Sequence, residues 1–387
     1  MHIHAHSRQP PPSRRDFFRI LAGTSLRGAS VLELAYHRAA WARALAPASD
    51  SQVFDIERIS EGVYLARARA QAEINCNAAI FVNSADVLVV DAHSKPSAAA
   101  SLIVQIAKEI TSKPVRYVVN SHFHGDHTQG NHAYRATENR VDFIASETTK
   151  QLLSDLALKR LKESLARVPE QIDTLRTRAS RSPSEAEKAF CKEQIRQLRS
   201  YAAELQNYIP DLPTITFGTS YILKDKAHDI HIEFHGHAHT AGDVVVFCPQ
   251  KRAIATGDVI MGFIPNLGDG FPKSWPRTLD SVAKLDFNKI LPGHGPVQPN
   301  RHRMIDQRNY LEELVDKVAV EKTAGKSITE LQETITVNSL KSMRSDGYAE
   351  YLATNHSRFL PDFEPAALLP NALKANIADV YNNLDRI

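Results

Sequence analysis

Apolar and polar residues along the chain follow two patterns that alternate with each other, one typical of strands and one typical of helices. Short apolar runs separated by turn residues predict strands over residues 62–91, and the apolar residues of 97–110 recur at the spacing of an amphipathic helix. The same order returns later, with strands predicted over 221–256, a helix over 278–285 and a last strand over 287–291. Two such halves predict an α/β protein, an αββα sandwich with loops clustered at the strand ends.

A helical segment separates the two halves. Apolar residues at three- and four-residue spacing over 158–175 and again over 191–205 predict a helical hairpin. We therefore expect residues 150–208 to be an insertion within a main domain of residues 49–300, followed by a C-terminal helical extension over 301–387. In one interpretation the hairpin is a lid or a solvent-exposed addition to the surface. In the other it is an arm for homodimerisation or a cap that controls access of the substrate.

Three imidazoles and a carboxylate lie within six residues, directly after the predicted strand 115–120. On extended backbone His122 and His124 point to one side, where they can share one ion. The glycine that follows permits a sharp turn, so that Asp126 and His127 can face a second position about 3.5 to 4 Å from the first. This spacing predicts a site for two metal ions.

The HxHxDH pattern of this loop resembles the signature of the metallo-β-lactamase superfamily. Four further segments similar to that family's motifs follow its order: the strand VLVVD that ends at Asp91, HTAGD beginning at His239, TGD ending at Asp258, and LPGHG around His294. Together the five motifs span about residues 60 to 300. The resemblance implies the αββα metallo-β-lactamase fold.

The resemblance also implies a role for each of these side chains. One ion would be held by His122, His124 and His239, and the other by Asp126, His127 and His294, with Asp258 bridging both and Asp91 supporting the ligands from behind. As anionic ligands, Asp126 and Asp258 would offset part of the dication charge and orient the attacking water or take its proton.

Two residues within the motifs indicate which metal and which reaction are favoured. Histidine at 124 rather than glutamate, with no flavin-binding domain, favours zinc hydrolysis over iron redox chemistry, although nitrogen and oxygen ligands also accept iron or manganese. Aspartate rather than cysteine at 258 resembles the glyoxalase-, lactonase- and ribonuclease-like branches. We expect a dinuclear zinc hydrolase that cleaves a small-molecule ester, lactone, thioester or amide by metal-bound hydroxide. The alternatives are a periplasmic β-lactamase and a non-catalytic periplasmic metal-binding accessory protein.

Two residues are candidates for substrate contacts. His237 belongs to a run of alternating polar residues that ends at His239, so its ring is either exposed on a partly solvated strand face or in contact with substrate. Trp275 lies in a loop over 262–276 that is rich in aromatic residues, proline and glycine, and that follows Asp258. This loop is either a rigid surface connection or an apolar wall of the substrate site.

Composition excludes several other classes of function. The chain has 387 residues, 43% of them hydrophobic, and a net charge of +3 with basic and acidic residues interspersed, which gives no indication of nucleic-acid binding. No apolar run approaches the roughly 20 residues of a membrane span. Three widely spaced cysteines support neither a disulfide framework nor a cysteine zinc site.

The amino-terminal residues 1–48 have the pattern of an export signal. The segment SRRDFF over 13–18 resembles the twin-arginine motif, and a moderately apolar stretch and small-residue cleavage sites follow it. This implies export to a bacterial periplasm. Arg27 and Glu33 interrupt the apolar stretch, which leaves a cytoplasmic protein as the alternative.

Overall fold

Twelve strands in two β-sheets form the centre of the part of the chain that this computed structural model describes, residues 53–69, 76–359 and 365–386. The predicted export signal lies outside these residues. The strands are β1 (Phe54–Ser60), β2 (Val63–Ala68), β3 (Ala78–Val82), β4 (Val87–Val90), β5 (Val115–Val119), β6 (Asp142–Ser146), β7 (Ile215–Phe217), β8 (Ser220–Leu223), β9 (Ile230–Glu233), β10 (Val245–Cys248), β11 (Ala253–Gly257) and β12 (Lys289–Pro292).

The strand directions bring several strand ends to common edges. The first sheet has the order β1 to β7, antiparallel up to β4 and parallel from β4 to β7. The second has the order β12-β11-β10-β9-β8, in which β11 and β12 are parallel and β10 is antiparallel to both β9 and β11. The carboxyl ends of β4 and β5 therefore lie at one edge of the first sheet, and those of β9, β11 and β12 lie at one edge of the second.

The two sheets pack face to face through alternate residues of their strands. Val63 and Leu65 of β2 and Phe81 of β3 are buried in one cluster with Ile232 of β9 and Val246 of β10. Because successive side chains of a strand point to opposite faces, one face of each sheet supplies this core. Each large apolar side chain buried here stabilises the fold by about 1.5 to 3 kcal/mol.

Helices cover the sheets and extend the chain at its carboxyl end. They are α1 (Pro96–Gln105), α2 (Gly125–Thr128), α3 (Asn131–Arg135), α4 (Glu147–Leu152), α5 (Leu158–Arg181), α6 (Glu185–Leu205), α7 (Trp275–Val282), α8 (His302–Thr323), α9 (Ile328–Thr334), α10 (Lys341–Arg344), α11 (Tyr348–Phe359) and α12 (Pro365–Asn383). Single π-helical turns follow α1 (Ile106–Ile110) and α4 (Leu153–Ala157), and 3₁₀ turns lie at Pro249–Lys251, Val337–Ser339 and Ser345–Gly347.

The outer layers complete the predicted sandwich. On the second sheet, Phe247 and Ile254 share a buried cluster with Leu279 of α7, Tyr310 of α8 and Ile377 of α12. On the first, α1 reaches β1, where Gln105 donates a hydrogen bond to the Phe54 carbonyl at 3.1 Å. The mixed α/β fold with two sheets and flanking helices is confirmed. None of the described helices is long and apolar enough to cross a membrane.

The predicted hairpin consists of α5 and α6, which pack against each other through a small apolar cluster of their own. Leu161 and Val168 of α5 meet Tyr201 and Leu205 of α6 in this cluster. The hairpin also contacts the main fold, because Glu204 accepts hydrogen bonds from the backbone N–H (2.9 Å) and the hydroxyl (2.8 Å) of Ser97 in α1. The insertion therefore lies against the helix that follows β4.

Candidate metal centre

All seven predicted ligands meet where strands of the two sheets end. His122 follows β5, and the short helix α2 begins directly after His124 and carries Asp126 and His127. The second sheet supplies the others: His239 from the loop after β9, Asp258 directly after β11, and His294 two residues after β12. The common direction of the ligand-bearing strands within each sheet brings together side chains from four separate segments of the sequence.

The first group contains His122, His124 and His239, whose ligand atoms lie within 4.8 Å of one another. Nδ1 of His124 and Nε2 of His239 are 2.9 Å apart. Two imidazole nitrogens lie this close only when a proton or a cation is shared between them, since their lone pairs repel. The arrangement fits a metal ion held by three nitrogens.

The second group contains Asp126, His127 and His294. The Nε2 atoms of the two imidazoles are 3.3 Å apart, and Oδ2 of Asp126 lies 3.4 Å from Nε2 of His127 and 3.0 Å from Nε2 of His294. One carboxylate and two imidazoles at these distances fit a second divalent ion.

Asp258 lies between the two groups. Its Oδ2 is 3.6 Å from Nε2 of His239 and also 3.6 Å from Nε2 of His294, while its Oδ1 is 3.5 Å from Nε2 of His127. The carboxylate therefore reaches ligand atoms of both groups, the position that a bridging ligand would need.

Two buried polar atoms test whether a metal fits here. Nε2 of His122 and Oδ1 of Asp258 are buried, and neither has a hydrogen-bond partner among the described residues. A buried polar atom without a partner costs about 1 to 3 kcal/mol. Divalent cations would supply the missing partners, and the nitrogen and oxygen donors fit zinc, iron or manganese.

The electrostatics of the site also suit cations. Burial, with the neighbouring His127 and His124, holds the pKa of His122 well below its usual value, and burial lowers the pKa of His239 to about 4. Both rings are therefore neutral, as metal ligation requires. Burial alone would raise the pKa of Asp258, but the imidazoles of His294 and His127 outweigh it and hold this pKa well below the usual range.

Comparison with known proteins identifies the family. The model of the metallo-beta-lactamase superfamily matches residues 72–294, more than half of the chain, and this range contains all seven side chains. The chain belongs to the metallo-beta-lactamase superfamily. Members of this superfamily are mostly metal-dependent hydrolases.

Solved structures of the superfamily resemble this chain at low identity. A metallo-beta-lactamase from Pontibacter korlensis is 17% identical, with a TM-score of 0.48, and the match covers 67% of this chain and 99% of that one. A second, from Erythrobacter litoralis with beta mercaptoethanol in its active site, is 15% identical, with a TM-score of 0.48 and coverage of 68% and 99%. No curated protein matches this chain.

Asp91, the residue that follows β4 in the superfamily's first motif, supports two of the predicted ligands. Its Oδ2 lies 2.8 Å from Nδ1 of His127, and its carboxylate accepts hydrogen bonds from the backbone N–H (2.8 Å) and the hydroxyl (2.9 Å) of Ser121. The Ser121 hydroxyl in turn lies 3.0 Å from Nδ1 of His122. These contacts leave Nε2 of both imidazoles facing the centre. Asp91 has a φ of 69°, an uncommon conformation of the kind that is found at functional sites.

Two glycines of the superfamily motifs leave room for the ligands. A Cβ on Gly293 would lie 2.4 Å from Oδ1 of Asp258 and 2.9 Å from Cε1 of His127. Gly257 has a φ of +48°, and a Cβ there would lie 2.2 Å from the Ser121 hydroxyl. Any larger residue at either position would displace a ligand or its support.

One pair of supporting residues, Asp269 and Arg160, was not predicted from the sequence. Oδ2 of Asp269 lies 2.8 Å from Nε2 of His124, which turns Nδ1 of that ring towards His239. Arg160 of α5 makes two hydrogen bonds to Asp269, one of them at 2.7 Å from Nη2 to Oδ1. The only sequence signal was the position of Asp269 in the loop after Asp258.

The two candidate substrate contacts have different surroundings. Trp275 is fully buried, its Nε1 donates to the Val259 carbonyl at 3.0 Å, and its ring lies 5.7 Å from that of His239. The expectation that Trp275 contacts substrate does not fit this placement, because the ring fills the core behind a ligand. His237 packs against Phe271, with ring centroids 4.5 Å apart, so its contact with substrate stays a prediction.

A cleft of about 700 Å³ opens onto the site. His124, Asp126 and His294 line it on one side and have partly exposed side chains, whereas His122 and His127 are fully buried. Residues of the hairpin, among them Arg160 and Tyr201, line it as well. This contact favours the cap interpretation of the insertion. The homodimer gains no support from the described residues and stays a prediction.

Proposed function

We propose that the protein is a hydrolase that uses two zinc ions to cleave an ester, lactone, thioester or amide bond of a small molecule. The observation that carries this proposal is the position of Asp258, whose carboxylate oxygens lie within 3.6 Å of ligand nitrogens from both groups. Iron or manganese would suit the same nitrogen and oxygen donors.

We assign different roles to the two carboxylates of the site: one accepts a proton and the other bridges the ions. When bound, two divalent ions would lower the pKa of water and polarise a substrate oxygen. Asp126 is the better placed of the two carboxylates to take the proton of the attacking water, because its side chain is 32% exposed and lines the cleft. Asp258 is almost fully buried, so we assign it to bridging and orientation.

The aspartate at 258 supports the glyoxalase- and lactonase-like branch over the β-lactamases that use a cysteine ligand. A panel of nitrocefin, a lactone, a thioester and a p-nitrophenyl ester, each assayed with and without chelator, would test this. We expect chelator-sensitive cleavage of at least one of the last three substrates. Cleavage of nitrocefin alone would establish the β-lactamase alternative.

Variants connect this activity to the site. His122→Ala and Asp126→Ala should each lose bound metal and turnover, while His231→Ala on β9, a histidine outside both groups, should keep both. Wild-type rates in metal-free buffer would refute the hydrolytic mechanism. Full metal content without turnover on the whole panel would favour the accessory-protein alternative.

We also propose export through the twin-arginine route, which rests on the sequence of residues 1–48 alone. Replacing Arg14 and Arg15 by lysine should leave the protein in the cytoplasm of a bacterial host, as judged by fractionation. An unchanged distribution would favour the cytoplasmic alternative.

A further inference from the structure

The cleft beside the candidate metal centre has two different walls. Side chains of the metal groups form one wall, and the hairpin forms the other with one face of α5 and residues at the end of α6. A volume of about 700 Å³ would accommodate an organic molecule of moderate size. The hairpin therefore supplies contacts to whatever part of a substrate lies away from the bond that is cleaved.

Part of this second wall is aromatic. Tyr201 and Tyr208, near the end of the hairpin, line the cleft together with Phe123 of the metal-binding loop. Tyr201 is almost fully buried, and burial raises its pKa, so the ring stays neutral. These rings offer apolar surface to an aromatic or branched apolar group of a ligand.

Two arginines of α5 also line the cleft, and the first of them is already paired. Arg160 makes two hydrogen bonds to Asp269, and its guanidinium lies 4.8 Å from the centroid of the Phe123 ring. The carboxylate of Asp269 therefore offsets its charge and fixes its orientation. We therefore assign Arg160 to holding His124 in position through Asp269, and not to binding substrate.

The second arginine, Arg167, has no such partner among the described residues. It lies seven residues further along α5, on the same face of the helix, and its side chain is exposed in the same cleft. Among the described residues it forms neither an ion pair nor a side-chain hydrogen bond. Glu163 also lines the cleft, four residues earlier, but it is not within ion-pair distance of Arg167.

We propose that Arg167 binds a carboxylate of the substrate, and that the substrate is an ester, lactone, thioester or amide with an apolar body and a carboxylate remote from the bond that is cleaved. A guanidinium presents a planar pair of donors that matches a carboxylate. The identity of the cleaved bond rests on the proposed hydrolase function, whereas recognition of the carboxylate by Arg167 does not.

Binding of two matched probes to the full-length chain tests the proposal without requiring turnover. We would measure 4-phenylbutyrate and its neutral analogue 4-phenylbutyramide by calorimetry, with wild type, Arg167→Ala and Arg167→Lys. Arg199→Ala is the control, because Arg199 is exposed on α6 outside the cleft and its loss changes the net charge equally. Metal content and melting temperature are recorded for each protein.

We expect wild type to prefer the carboxylate over the amide, and Arg167→Ala to lose about tenfold in affinity for the carboxylate only. Arg167→Lys should keep part of the preference, and Arg199→Ala all of it. The proposal is overturned if wild type binds both probes equally, if Arg167→Ala keeps the preference, or if Arg199→Ala loses as much. Loss of the preference at unchanged metal content supports the proposal even in a protein that hydrolyses none of the panel.

Discussion

Asp269 and His124 form a contact across the mouth of the site, with Oδ2 of the aspartate 2.8 Å from Nε2 of the imidazole. The two residues are 145 positions apart in the sequence. A hydrogen bond at Nε2 leaves Nδ1 as the free nitrogen of His124, and this atom faces His239. Arg160 of the hairpin binds Asp269 in turn. The insertion therefore helps to hold a predicted metal ligand in position and also forms a wall of the cleft.

Asp269→Asn should weaken metal binding without unfolding the protein. The amide can still reach His124 but no longer carries the charge that fixes the ring and raises its basicity, so we expect about 10- to 100-fold lower zinc affinity. Competition with a chromogenic chelator measures this. Asp286→Asn is the control, since Asp286 is exposed and pairs with Arg252 away from the site. Equal affinities in the two variants would show that the contact does not support the ligand.

Gly293→Ala should disturb the site because its Cβ would lie 2.4 Å from Oδ1 of Asp258. Relief of such a clash typically costs about 1 to 3 kcal/mol, and here the strain falls on a bridging ligand. We expect lower metal content at saturating zinc and a lower melting temperature. Gly218→Ala is matched, because a Cβ there meets nothing within 4 Å. If Gly293→Ala binds metal as well as Gly218→Ala does, the tight packing around Asp258 is not required.

Trp275→Phe should lower stability and leave catalysis unchanged. The indole is fully buried and donates to the Val259 carbonyl, so the replacement removes a hydrogen bond and leaves a small void, at about 1 to 2 kcal/mol. Denaturant unfolding measures the loss. In parallel, KM for a cleaved substrate of the panel should match wild type. A raised KM with unchanged stability would restore the substrate role that the sequence suggested.

The loop after β5 could be predicted from the sequence as a metal-binding loop, because it follows an apolar run that forms a strand. This loop places His122, His124, Asp126 and His127 within six residues. Asp258 directly follows β11, and His294 lies two residues after β12. Local pattern was sufficient for this loop, whereas the roles of His239, Asp258 and His294 followed from the resemblance to the superfamily's motifs. The two sheets of the sandwich followed from the same repetition of strands and helices.

Contacts between distant segments could not be predicted in this way. Arg160 and Asp269 are 109 residues apart in the sequence. In both segments the pattern of polar residues is equally compatible with side chains that are exposed to solvent. The surroundings of Trp275 could not be predicted either, since an aromatic residue near the end of a loop can face the cleft or the core. Only the packing of α7 against the second sheet decides that Trp275 is buried.

The metal stoichiometry of wild type and Asp258→Ala shows whether the site is dinuclear and bridged by Asp258. It is measured by elemental analysis after equilibration with zinc and removal of free ions. We expect two ions per chain in wild type and no more than one in the variant, because the Asp258 carboxylate lies within 3.6 Å of nitrogens from both groups. A wild type with fewer than two ions, or an Asp258→Ala variant that keeps two with unchanged affinity, would contradict a dinuclear site bridged by Asp258.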